Sequence, residues 1–294
     1  MEQTSSFELI KNDVLIAFLF GLLFLIALAI AKKKSFFRLP EPLDPGKIPL
    51  IFIDVVIPFA LYIGLAFTLP FIIEKILVAL TFNGNRSEID FSHWINFLTI
   101  FFISLALLIY CVKYRKDIFH YIWKHPLSTS SYGFDFFIGL ISWFLAFPLV
   151  IFVSHFLDLI IYFIFRQPQL PQQAAIKYLH EATEHPFNFL LALITILIFA
   201  PFTEELIFRG FLQTWIKKFM GRRLAIIVTS IGFAAFHFSI SQGLANITIL
   251  GTLFTLSCLL GFLYERQRSL LATMTLHAIF NGMSIFNLFF MSGI

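Results

Sequence analysis

The sequence consists largely of long apolar runs separated by short polar or basic segments. A helix that crosses the hydrocarbon core of a bilayer needs about 20 apolar residues. With 59% hydrophobic residues, 13% charged residues and a mean hydropathy of +0.88, the chain has too little polar surface for a soluble domain. The sequence therefore predicts an all-α fold, a polytopic membrane helical bundle of about eight transmembrane helices. The runs lie at residues 14–31, 48–80, 94–112, 134–165, 187–216, 224–241, 243–263 and 269–291.

The basic residues indicate the orientation of the bundle. Lys32, Lys33 and Lys34 follow the first run, and other Lys and Arg residues cluster in alternate connecting segments. Because such residues concentrate on the cytoplasmic side, we expect an integral, multi-pass protein of the cell membrane or an endoplasmic-reticulum-type membrane, with both termini outside. The first run lacks the flanks of a signal peptide and should remain as a span. The clusters form no continuous stripe, so no nucleic-acid partner is expected.

Two runs, 48–80 and 134–165, are too long for one perpendicular crossing and contain prolines that could kink or end a helix. The Pro- and Gln-rich segment 166–173 predicts a boundary between amino-terminal transmembrane helices, residues 1–173, and a helical core at 174–294 that begins with a short polar helix. We expect Asp54, Glu74 and Lys75 near span ends, where charged groups reach the interface. His155 and Asp158 should form an interfacial i, i+3 pair.

Three charged residues lie within six positions of the fifth run, in the sequence FAPFTEELIFRGFL. Each costs about 2.5–3.5 kcal/mol at the centre of a membrane helix. Glu205 and Arg209 are four residues apart, so on a helix they can pair. Glu204 has no basic partner at helical spacing and is a candidate functional carboxylate that faces the bundle interior.

Two later runs carry polar residues at helical spacing. His237 follows Phe233 by four residues, and His277 and Asn281 share one face of the last run. With a rise of 1.5 Å per residue, Glu204 and His237 lie roughly 20 Å from the predicted inner ends of their spans, and His277 and Asn281 roughly 12–18 Å. Antiparallel helices would bring all four side chains to a similar depth, as a shared intramembrane site requires.

The predicted set favours activation of water rather than a covalent nucleophile. It contains no serine or cysteine in an arrangement with histidine. Glu204 can act as a general base with His237 orienting the water, while His277 and Asn281 can donate hydrogen bonds to an oxyanion. The same side chains could instead bind zinc, but the sequence lacks an H-E-x-x-H helix, so we expect neither a metal nor another cofactor.

Two other classes of function remain open at this point. A noncatalytic membrane scaffold or immunity protein could use the same polar groups to hold its helices together. An ion or proton transporter would spread such groups along a path through the membrane, whereas the predicted depths here are similar. A discriminating observation is whether removal of the Glu204 carboxylate abolishes cleavage of a peptide.

The motifs resemble those of the CAAX protease and bacteriocin-processing (CPBP, or ABI) family, which includes the type II CAAX prenyl endopeptidases. EELIFRG has the form EExxxR, FAAFH the form FxxxH, and HAIFN the form HxxxN, in this order over about residues 187–290. The resemblance implies an intramembrane, glutamate-dependent endopeptidase with about eight helices. It implies that Glu204 and His237 activate water, that His277 and Asn281 bind the oxyanion, and that Glu205, Arg209 and Phe233 support the site. The implied substrate is a membrane-associated protein or peptide, with a prenylated carboxyl terminus as one candidate.

Overall fold

A computed structural model describes residues 2–42, 44–80, 91–166 and 174–291. This part of the chain is helical throughout and contains no strand, in agreement with the predicted all-α fold. Short π-helical stretches, Tyr110–Tyr114, Thr195–Phe199 and Leu206–Gln213, continue three of the helices. The α-helices are α1 Glu2–Lys33, α2 Phe52–Leu80, α3 Ser92–Ile109, α4 Lys116–Trp123, α5 Tyr132–Phe165, α6 Ala174–Ala182, α7 Pro186–Ile194, α8 Ala200–Glu205, α9 Thr214–Phe236, α10 Ala245–Gln267 and α11 Leu270–Met291.

The exterior of the bundle is apolar, as expected for contact with lipid. Phe67 on α2 and Ile164 on α5 are 72% and 67% exposed, whereas Glu205 and Arg209 are fully buried. This distribution inverts that of a soluble protein, in which charged residues are almost never buried unless they are paired. Burial of apolar surface therefore does not determine which residues lie in the interior. Polar contacts between helices contribute to the specificity of helix packing.

Helix α5 packs against α1, α10 and α11. At Gly139, α5 approaches α11 so closely that an added Cβ would lie 2.5 Å from the Ala272 carbonyl oxygen and 2.7 Å from the Thr275 Cβ. A small residue at this point lets the two backbones meet, as is common between membrane helices. This contact fixes the part of α11 that precedes His277.

Six helical segments among the described residues are long and apolar enough to cross a membrane, against the predicted eight. They are Ile10–Lys33, Phe52–Leu80, Ser92–Tyr114, Tyr132–Phe165, Pro186–Phe236 and Ala245–Gln267. The fifth has 51 residues, roughly 77 Å as a straight helix, and contains the predicted run 187–216 and most of the run 224–241. Gly221 breaks it with φ 71° and ψ 173°, a conformation open mainly to glycine. Helix α11 is long enough, but its polar residues lower its hydropathy.

The prolines in the two longest predicted runs do not end their helices. Pro58 and Pro70 lie within α2, which has 29 residues, and Pro148 lies within α5, which has 34. A helix of 34 residues is roughly 51 Å long, so α5 must tilt or extend beyond a hydrocarbon core of about 30 Å. Residues 167–173 of the predicted boundary segment lie outside the described residues, so the two-part division stays a prediction, as does the outside location of the termini.

Two expectations about charged residues are corrected by the fold. Asp54 lies near the start of its span, as expected, but its side chain is fully buried rather than exposed at the interface: it accepts hydrogen bonds from Arg115 Nη2 at 2.7 Å and from the Ile51 N–H at 2.9 Å. The salt bridge with Arg115 and the positive end of the α2 helix dipole compensate for the burial of the Asp54 charge. Glu74 and Lys75, in contrast, are exposed near the end of α2.

His155 and Asp158 interact electrostatically with each other, as expected, but the hydrogen-bonding contacts of both side chains are with other helices. The Nδ1 atom of His155 lies 2.8 Å from Asp13 Oδ1 on α1. Asp158 accepts a hydrogen bond of 2.6 Å from the Thr248 hydroxyl on α10. Both residues therefore tie α5 to its neighbours, a role that the i, i+3 spacing alone does not reveal.

Candidate active site

Glu204 lies on a helical turn that is wound more tightly than the segments on either side of it. The six-residue helix α8 is flanked by the π-helical stretches Thr195–Phe199 and Leu206–Gln213. Before α8, the Ala200 N–H donates to the Thr195 carbonyl, five residues back. Pro201 follows and has no N–H to donate. Single π-helical turns within α-helices are frequent at functional sites.

Three of the four predicted site residues converge on one point. The Glu204 Oε2 atom lies 4.0 Å from Nε2 of His237 and 3.8 Å from Nε2 of His277. The three side chains come from α8, the end of α9 and α11, and they are 16%, 31% and 6% exposed. Both separations exceed hydrogen-bond length, so the three groups surround a space between them rather than bonding directly.

The hydrogen bond of His237 sets the role of its other nitrogen. Its Nδ1 lies 2.8 Å from the carbonyl oxygen of Phe233, which can only accept. Nδ1 therefore carries a proton, and in the neutral ring Nε2 is an acceptor. Nε2 and the Glu204 carboxylate are then two acceptors that face each other at 4.0 Å. A water molecule between them could donate one hydrogen bond to each, which is the arrangement needed for its deprotonation.

Glu205 and Arg209 form the fully buried salt bridge predicted from their spacing. Arg209 Nη1 donates to Glu205 Oε1 over 2.9 Å, and Arg209 Nη2 donates to the Ser257 hydroxyl over 2.8 Å. Glu205 Oε1 also lies 2.8 Å from His277 Nδ1. The acidic residue thus has a second function beyond charge neutralisation: it fixes the His277 ring so that Nε2 points towards Glu204.

Phe233 lies at the centre of these contacts and is fully buried. Its ring packs against the rings of His237 and His277, with centroid distances of 4.8 and 6.1 Å. The guanidinium carbon of Arg209 lies 4.6 Å from the same ring centroid, a cation–π contact. Phe233 therefore positions both histidines and covers the buried arginine, which is more than the motif spacing indicates.

Asn281 lies one helical turn beyond His277 but contacts a different group. Its Nδ2 donates to the Ile196 carbonyl over 3.1 Å. The α-helical donor for that carbonyl, the Ala200 N–H, is bonded to Thr195, and the next residue is Pro201. The π-helical turn thus exposes a carbonyl that the Asn281 side chain satisfies. One amide N–H of Asn281 remains for another acceptor.

The sequence did not identify two residues beside this cluster. Ser257 accepts a hydrogen bond from Arg209, and the Tyr62 hydroxyl is close enough to Glu204 to interact with it electrostatically. Tyr62 lies on α2, and its ring packs against Phe236 at 5.3 Å. Serine and tyrosine are ordinary residues of apolar runs, so neither carries a signal in the sequence that separates it from packing residues.

A series of polar contacts, here called the ladder, connects residues 209–217 with α10. The two residues of each contact are 48 positions apart in sequence. Arg209 bonds to Ser257, Gln213 to the Gly261 carbonyl at 3.1 Å, and Lys217 to Glu265 at 2.9 Å. An equal offset at every rung means that these two helical segments run parallel and in register. Lys217, counted from sequence as the inner end of a span, is in fact buried beside Glu265.

Metal binding receives no separate geometric support in the described ranges. No group of three or more His, Cys, Asp or Glu side chains there is arranged to hold a metal ion. Zinc ligands lie about 2.0–2.2 Å from the metal. In the candidate site, Oε2 of Glu204 lies 4.0 Å from Nε2 of His237 and 3.8 Å from Nε2 of His277.

Comparison with known proteins gives one family. Residues 186–283 match the family model described as Rce1-like, type II CAAX prenyl endopeptidase. The matched segment contains all seven predicted site residues. No curated protein and no solved structure gives a significant match. The family match supports a membrane-embedded hydrolase of the CAAX protease type, and it confirms the resemblance seen in the three motifs: residues 186–283, a third of the chain, are similar to the Rce1-like type II CAAX prenyl endopeptidases.

Proposed function

We propose that the protein is an intramembrane endopeptidase in which Glu204 and His237 activate water to hydrolyse a peptide bond. The observation that supports this most directly is the convergence of the His237 and His277 Nε2 atoms on Glu204 Oε2, at 4.0 and 3.8 Å. The described residues give Glu204 no direct hydrogen bond, although it is largely buried. A carboxylate held in this way is available to a water molecule and a substrate.

In the first step, Glu204 removes a proton from water while the water oxygen attacks the carbonyl carbon of the substrate. The π bond of the carbonyl breaks, and its electron pair forms an oxyanion. His237 Nε2 accepts a hydrogen bond from the second proton of the water and so orients the attack. In the second step the oxyanion re-forms the carbonyl, the C–N bond breaks, and Glu204 returns its proton to the leaving amine.

His277 and Asn281 stabilise the oxyanion in this proposal. Because Nδ1 of His277 donates to Glu205, Nε2 can donate only when the ring carries a second proton. The second amide N–H of Asn281 provides another donor.

The substrate we propose is a membrane-associated protein or peptide with a prenylated CAAX-type carboxyl terminus. The similarity to the type II CAAX prenyl endopeptidases supports this class. A groove of about 640 Å³ supports it independently, because it lies between α2 and α3 and is lined mainly by apolar residues, among them Ile57, Leu61 and Ile109. Leu61 precedes Tyr62, which interacts electrostatically with Glu204, so α2 contributes to both the groove and the surroundings of the site.

The test is cleavage of prenylated and unmodified peptides by purified protein carrying Glu204→Gln, with Glu74→Gln as the matched control. Glu74 is exposed on α2, so the control makes the same chemical change outside the site. We expect Glu204→Gln to lower kcat by about 10²–10⁴-fold, the usual contribution of a general base, and the control to retain activity. Undiminished cleavage by Glu204→Gln would refute the mechanism.

A noncatalytic scaffold is the second candidate, favoured by the buried contacts that Glu205 and Arg209 make with α10 and α11. A scaffold needs these contacts but not the Glu204 carboxylate. If wild-type protein cleaves no peptide of a broad panel, prenylated or not, the scaffold function is supported. A zinc-dependent reaction is tested in the same assay, because activity lost to a chelator and restored by zinc would replace the metal-free mechanism.

A further inference from the structure

A polar cavity lies at the ends of α5 and α10, apart from Glu204 and its neighbours. Its volume is about 580 Å³, and it is lined by Pro40, residues 127–131, Phe134 and residues 266–268. Tyr132 begins one candidate span and Gln267 ends another. Leu127 and Phe134, at the rim, are 65% and 48% exposed. The cavity therefore lies where the apolar exterior gives way to polar surface, at the level of lipid head groups.

Three consecutive residues supply hydrogen-bond donors to this cavity. Arg266 Nε donates to the Phe36 carbonyl and Arg268 Nη2 donates to the Glu41 carbonyl. Each guanidinium has five N–H groups, so both keep further donors after these bonds. Gln267 is only 5% exposed, and its Nε2 has no hydrogen-bond partner among the residues that the structure describes. Gln267 therefore places a further amide group, without a partner among the described residues, beside the two arginines.

The charged residues that line the cavity, Arg266 and Arg268, are both cationic. The buried carboxylate of Asp135 is neutralised by Lys124 Nζ at 2.8 Å. The amino terminus of α5 begins beside the cavity and adds the positive end of its helix dipole. The pKa of His125, in the loop before α5, is lowered to about 4, first by burial and then by the positive charges of Arg268 and Lys217.

We propose that this cavity is a binding site for a phosphate group, the chemistry shared by an anionic phospholipid head group and free phosphate. Arg266 and Arg268 would pair with the phosphate oxygens, since the planar guanidinium matches that geometry. Gln267 Nε2 would donate a further hydrogen bond. The apolar rim and the volume favour a lipid head group, because both accommodate more than the phosphate alone.

The experiment introduces a carboxylate at the cavity without disturbing the buried residues. Thr129 lines the cavity and is exposed, so Thr129→Glu adds a negative charge and Thr129→Gln is a neutral control of similar size. Arg268→Gln removes a proposed donor, and Arg38→Gln makes the same change at an exposed position outside the cavity. Full-length protein in neutral detergent is titrated with short-chain phosphatidylglycerol, phosphatidylcholine or inorganic phosphate, and binding is followed by the shift in thermal unfolding.

We expect phosphatidylglycerol to bind wild type, Thr129→Gln and Arg38→Gln with affinities within about twofold of one another. Thr129→Glu and Arg268→Gln should each bind about tenfold more weakly, the effect of one charge at short range. Equal binding of phosphatidylcholine, or equal losses in Thr129→Glu and Thr129→Gln, would overturn the proposal. If inorganic phosphate binds as tightly as the lipid, the result supports a phosphate site but refutes a lipid head group as its ligand.

Discussion

Glu204 and Glu205 are adjacent in sequence, yet the same substitution at each should have opposite consequences. Glu205 is fully buried and neutralises Arg209 over 2.9 Å. Removal of one partner of a buried ion pair leaves an uncompensated charge and typically costs about 3–5 kcal/mol. Glu205→Gln should therefore reduce the free energy of unfolding by about this amount. It should also loosen His277, which loses the carboxylate that holds its Nδ1 at 2.8 Å.

Glu204→Gln should leave stability almost unchanged while abolishing cleavage. The Glu204 side chain is 16% exposed, and the Nε2 atoms of His277 and His237 lie 3.8 and 4.0 Å away, beyond direct hydrogen bonding. Glutamine has nearly the same shape, so we expect a change below about 1 kcal/mol.

The assay is thermal unfolding of both variants in one detergent, combined with peptide cleavage at a temperature where both are folded. Equal losses of stability in the two variants would refute this division of functions. So would cleavage by Glu204→Gln at the rate of wild type. A stable Glu205→Gln variant would show that Arg209 does not depend on Glu205 for neutralisation.

Three further predictions concern packing, pH and substrate. Gly139→Ala should cost about 1–3 kcal/mol because its Cβ would meet the Ala272 carbonyl at 2.5 Å, whereas Gly133→Ala, in open space on the same helix, should be neutral or stabilising in thermal unfolding. The pKa of His125 is lowered from 6.5 to about 4 in the folded protein, so its ring is neutral there. The free energy of unfolding should therefore decrease as the pH falls from about 6.5 to about 4. A melting temperature that stays constant over this range would contradict this prediction. Ile57→Trp should fill the apolar groove and raise KM for a prenylated peptide by about tenfold relative to an unmodified one; equal changes for both would contradict the lipid assignment.

The sequence was sufficient to predict the membrane fold and the pairing of Glu205 with Arg209. Both follow from strong local signals, namely runs of apolar residues and charges at helical spacing. The convergence of Glu204, His237 and His277 was also predictable, because the depth of a residue in a span follows from its distance to the span end. The count of spans differs slightly, because the six segments of sufficient length and hydropathy include one, Pro186–Phe236, that joins two predicted runs across the break at Gly221.

Contacts between distant helices account for most of what the sequence could not predict. Asp54 is buried because Arg115, 61 residues away, neutralises it. Asn281 bonds to a carbonyl that becomes available only because the turn before Pro201 is π-helical. His155 forms its hydrogen bond with Asp13 rather than Asp158, although the latter is closer in sequence. In each case the partner is set by packing, which spacing along one helix does not encode.

The ladder between the π-helical stretch and α10 makes sliding of one helix along the other an all-or-none event. A displacement of one turn, about 5.4 Å, would move Arg209 away from Ser257 and place it opposite Gly261, which offers no side-chain acceptor. The same displacement would carry Lys217 past Glu265 and leave that carboxylate buried without its cation. We therefore expect the two helices to move as one unit, and a conformational change to take place elsewhere in the bundle.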